Sequence, residues 1–164
     1  MIVASTDQLI SYLADLIDVA ERFGATVLPP FDADDVGWER TGDDLTLDLA
    51  TRLPADSRSR HIELVLQERW SPSSRDGWDL VEYAYELRHH ELDYRRALHR
   101  HDVEHFVRTH DVAVHEHCEA TMGHTVCGHY AGQPVNGAID GFRRLYGVWL
   151  SNVKPDCSQL QCLI

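Results

Sequence analysis

Apolar positions follow a helical period at both ends of the chain and a period of two between them. Over residues 6–23, Leu9, Leu13, Leu16, Ile17, Ala20 and Phe23 share one face of a helix. Ser5 and Gln8 have the spacing of a capping box, and Gly24 is a natural stop. Pro29-Pro30 and the acidic stretch 32–35 read as a connector. Alternation then takes over. Leu45, Leu47 and Leu49 form one apolar face, Ile62, Leu64 and Leu66 a second, and Val81, Tyr83, Tyr85 and Leu87 a third, with a turn over 71–77. A fourth strand over 92–101 presents Leu92, Tyr94 and Leu98, and a short fifth covers 111–118. Residues 123–134 read as a loop. From Asn136, a candidate cap, helical spacing returns with Ile139, Phe142, Tyr146, Trp149 and Val153 on one side. Gly141 and Gly147 each weaken that helix by roughly 1 kcal/mol relative to alanine. The pattern predicts a single α+β domain over 1–164. Its antiparallel sheet of four or five strands lies between helices near 6–23 and 136–153.

Composition adds an asymmetry. The net charge is −12, yet residues 1–56 carry twelve acids against three arginines, a balance of −9, and the remainder carries only −3. The acidic end reads as a solvated face or a partner surface, and the overall charge argues against a general nucleic-acid binder while leaving room for a local cationic site. Apolar residues make up 43% of the chain, enough for a real core. No run approaches the roughly 18 apolar residues of a membrane helix, and the first residues lack the pattern of a secretory signal. The expectation is a cytoplasmic protein with no membrane contact, whose Cys118, Cys127, Cys157 and Cys162 are reduced thiols.

All eleven histidines lie in the second part, and ten of them fall within residues 89–129. Any chemistry is therefore expected in the segment 88–130. Strand geometry puts Arg95, Ala97, His99 and His101 on the face opposite Tyr94 and Leu98, and Ala113, His115 and His117 on one face of the next strand. If the two strands pair antiparallel, up to four imidazoles converge. Asp111 and Glu116 are candidates to orient those rings, and Arg88, Arg95, Arg96, Arg100 and Arg108 supply positive charge. Three readings stay open. One is a zinc site, with His115, His117, Cys127 and His129 as ligands. Another is a metal-free acid/base site for RNA cleavage. The blandest is a set of solvated strand histidines. The run from His101 to His105 also spells the H-x-x-E-H of one zinc-protease class, but that motif acts on a helix, and here it follows a strand pattern.

From Glu82 to Glu119 the order of features resembles the TumE family of bacterial toxin–antitoxin toxins. The features are the tyrosines Tyr83 and Tyr85 on one strand, Arg96 on the basic strand that follows, Asp102, His105, and the closing His115-x-His117. The resemblance covers about a quarter of the chain. It implies a small α+β enzyme acting on RNA, with an antitoxin as protein partner. In that reading His115 and His117 act as acid/base pair or ligands, Asp102 orients, Arg96 clamps phosphate, and His105 is a further catalytic candidate. The alternative is a non-catalytic zinc-binding interaction module whose acidic first helix docks a partner.

Overall fold

A computed structural model describes residues 3–27, 38–53, 62–74, 77–101, 108, 113–119 and 129–150. The first helix, α1, spans Thr6–Arg22. Its capping box is complete: the Ser5 hydroxyl accepts from the Gln8 backbone N–H, and the Gln8 side chain accepts from the Ser5 N–H. Gly24 follows at φ 74°, the left-handed conformation that glycine adopts without a steric penalty. Leu9, Leu13, Leu16 and Ala20 are buried, as the apolar stripe requires, while Ile10 stands outside that stripe and is 60% exposed.

The sheet contains nine strands among the described residues: β1 Val3–Ala4, β2 Thr26–Val27, β3 Trp38–Thr41, β4 Asp44–Leu53, β5 Ile62–Ser73, β6 Gly77–His89, β7 Tyr94–Arg100, β8 Val114–Glu119 and β9 His129–Ala131. Six of them have four residues or more, so the sheet is larger than the four or five strands expected. The five predicted strands are all present as β4 to β8, and β9 lies in the stretch expected as loop. Strands β4 to β9 form a consecutive antiparallel meander. β2 and β3 add to the outer side of β4, and β1 pairs with the start of β6.

Alternation divides the sheet into two unlike faces. One carries Leu47, Leu49, Leu64, Leu66, Trp70, Tyr85, Leu87, Tyr94 and Leu98, all buried in one core with α1 and the last helix, α2, Ala138–Leu150. Tyr83 and Tyr85 stack at 4.7 Å within that core, as sheet packing rather than as an exposed platform. The other face is polar.

The start of α2 is capped from the sheet. The Ala138 N–H donates to Glu68 Oε1 at 2.8 Å and lies against the Tyr12 hydroxyl. Asn136, the expected cap, instead donates its backbone N–H to the Asp140 carboxylate. Gly141 explains why glycine stands inside this helix: a Cβ there would meet Tyr85 Cδ2 at 2.3 Å, so the helix rests directly on the ring. Gly141→Ala should therefore destabilise the fold by about 1–3 kcal/mol through overpacking, against the gain of about 1 kcal/mol that helix propensity alone would give. Urea denaturation decides between them by the sign of the change.

Candidate metal centre

The polar face owes its histidines to strand register. β7 and β8 pair so that His99 opposes His115, Ala97 opposes His117 and Arg95 opposes Glu119. Directly opposed residues share a face, so His99, His101, His115 and His117 all stand on the side away from the helices. Nitrogen atoms of His99, His101 and His115 lie within 4.8 Å of one another, close enough for one ion to take a nitrogen from each. Their ring centroids are 5.3 Å (His99–His115), 4.7 Å (His101–His115) and 6.0 Å (His99–His101) apart. His117 stands beside them, with its Nε2 3.1 Å from His115 Nε2 and its ring 4.6 Å from His99.

Burial argues against solvated strand histidines. His115 is 1% exposed and His117 8%, although both point away from the core. Imidazoles taken out of water need partners of comparable strength, and here they have one another.

On β6 the register places Glu86 opposite Ala97 and Arg88 opposite Arg95. Glu86 is the hinge of a charge network on the histidine face. Its Oε1 lies 2.6 Å from Arg95 and 3.2 Å from His99 Nε2, and its Oε2 lies 2.6 Å from Arg88. Arg95 reaches on to Glu119 at 2.9 Å. Burial would raise the Glu86 carboxyl, but the hydrogen bonds from His99, Arg95 and Arg88 outweigh it and hold the group far below the usual carboxylate range.

Other candidates fall elsewhere. Arg96, expected to clamp phosphate beside the histidines, points to the opposite, helix-covered face. There it donates to Glu116 at 2.5 Å, and Arg144 of α2 approaches the same carboxylate at 3.4 Å. Glu116 is 2% exposed in that cluster, so it does not orient the imidazoles. The cause is plain alternation: the even-numbered positions of β7 and β8 face the core. Of the other arginines, Arg88 and Arg95 do stand on the histidine face, but both are engaged by Glu86. Asp102, His105, Asp111 and Cys127 lie outside the described residues. His129 is the backbone partner of His117 in the β8–β9 ladder, and its side chain lies outside the described residues.

Cys118 faces the core, away from His115 and His117, as its parity requires. It is disulfide-bonded rather than the reduced thiol expected, and its partner lies outside the described residues. Among the described residues, no helix is long and apolar enough to cross a membrane.

The chain matches no family model, no curated protein and no solved structure at a significant level.

Proposed function

We propose that this chain is a zinc-class metal-binding module and that its site is built from His99, His101 and His115. The observation that carries the reading is the closure of three imidazoles, from two paired strands, to within 4.8 Å on one face. A neutral, all-nitrogen donor set suits zinc and related late transition ions. Three imidazoles leave one coordination position. Among the described residues, His117, whose Nε2 lies 3.1 Å from that of His115, is placed to take it. The deep burial of His115 and His117 favours such a closed, structural centre over an open catalytic one. The protein isolated without chelators should carry about one zinc per chain. Metal analysis that finds none, together with no rise in melting temperature on adding zinc, removes this reading.

A second reading is RNA cleavage by His115 and His117, the activity implied by the TumE resemblance. Their 3.1 Å contact is in its favour, while the position of Arg96 leaves no guanidinium for phosphate from the residue first assigned that task. A cytoplasmic toxin paired with an antitoxin belongs to this second reading. The two separate cleanly in cells. A structural zinc module leaves total RNA intact when the chain is expressed alone in bacteria. RNA degradation and slowed growth, both relieved by His117→Ala at matched soluble expression, would put the enzyme first.

A further inference from the structure

We infer that Glu86 is the positioning residue of the metal site: its carboxylate takes the Nε2–H of His99 and so turns the Nδ1 of that ring toward the ion. The inference rests on the metal-binding reading and goes beyond it by assigning a ligand atom and the group that selects it. Three features carry it. His99 Nε2 lies 3.2 Å from Glu86 Oε1, so that nitrogen is engaged by the carboxylate. His99 nevertheless offers a nitrogen to the cluster with His101 and His115, which leaves Nδ1 for that role. Glu86 is itself immobilised, because Arg88 and Arg95 grip its two oxygens and Glu119 holds Arg95 from the far side. A carboxylate fixed in this way sets the tautomer of the ring, holds its plane, and raises the basicity of the ligating nitrogen.

The same chain of contacts explains why arginines crowd the histidines without serving an anionic ligand. Arg88 and Arg95 are spent on holding Glu86. Glu86 and Glu119 together balance their two positive charges, so a divalent ion does not meet a net cationic patch.

The test uses the full chain, zinc alone as ligand, and a chromophoric chelator in competition. Glu86→Leu removes the acceptor and should weaken zinc binding about 10- to 100-fold. Glu86→Gln keeps an oxygen that accepts the His99 N–H and should stay within about threefold of wild type. Long-range proton–nitrogen NMR on imidazole-labelled protein supplies a readout that a purely structural role would not move. Zinc-loaded wild type should show His99 ligated through Nδ1 with a protonated Nε2. Ligation of His99 through Nε2, or wild-type affinity in Glu86→Leu, overturns the assignment. If Glu86→Leu fails to fold by circular dichroism, the NMR of wild type and the affinity of Glu86→Gln still decide. Zinc uptake by wild type with no dependence on Glu86 removes only the positioning role. Absence of uptake by wild type removes the metal site as well.

Discussion

Glu68→Ala is expected to cost several kcal/mol of folding stability, at about 1–3 kcal/mol for each buried donor left without an acceptor. Glu68 sits on β5, at a position facing the core, and is 4% exposed. Four donors from four elements converge on it: the hydroxyls of Tyr12 on α1 (2.7 Å) and Tyr85 on β6 (2.6 Å), the Trp70 indole N–H (2.9 Å), and the Ala138 backbone N–H that opens α2 (2.8 Å). Alanine takes this acceptor from the two hydroxyls and the indole, at about 1–3 kcal/mol for each that cannot find another, while the Ala138 N–H keeps the Tyr12 hydroxyl. It also removes the group that ties α1 and α2 to the sheet, so the loss should appear as a lower urea midpoint with an unchanged slope.

The pH dependence of that contact has a defined sign. Burial pushes the Glu68 carboxyl up from the ordinary 4.5, and the hydrogen bonds from Tyr85, Tyr12, Trp70 and Ala138 only partly oppose it. A group raised in the folded state contributes stability that is complete below its unfolded value and is lost as pH rises through its folded value. The advantage of wild type over Glu68→Gln, which cannot titrate, should therefore be greatest below the ordinary carboxylate range and shrink as pH rises through the raised value. An advantage that grows with pH would mean that the four donors overcome the loss of water.

Periodicity carried most of the architecture because it reports burial directly. The capping box of α1, the five strands β4 to β8 and the second helix are each written in spacings that backbone geometry enforces. Strands of two to four residues, such as β1, β2, β3 and β9, are too short to show a period, and only their pairing partners define them. Glu68 left a trace: the alternation Ile62, Leu64, Leu66 runs on to it, so a carboxylate occupies a core position. The histidine face was legible for the same reason, and the antiparallel pairing of β7 with β8 brings His99 and His115 together as their alternation required. Register between strands was not legible, and register is what sets Glu86 beside His99. Arg96 shows the limit of a motif-based assignment, since the alternation that placed His99 and His101 on one face already put Arg96 on the other.

The ligand set is where the sharpest test lies. His115 belongs both to the set expected from sequence spacing, with His117, Cys127 and His129, and to the cluster with His99 and His101. His115→Ala should therefore abolish zinc binding under either assignment, and it serves as the positive control. His99→Ala and His101→Ala separate the two. Each removes one of three converging imidazoles and should lower zinc affinity by at least about 100-fold, while His129→Ala should change it little. The effect on stability follows by mass action. Free zinc at about a thousand times its dissociation constant stabilises a folded state that alone binds it by about 4 kcal/mol, and this increment should vanish in His99→Ala, His101→Ala and His115→Ala. Paired urea titrations with and without zinc isolate it, because each variant is compared with its own metal-free form and any packing defect cancels. Retention of the increment in His99→Ala together with its loss in His129→Ala would transfer the site to the β8–β9 hairpin.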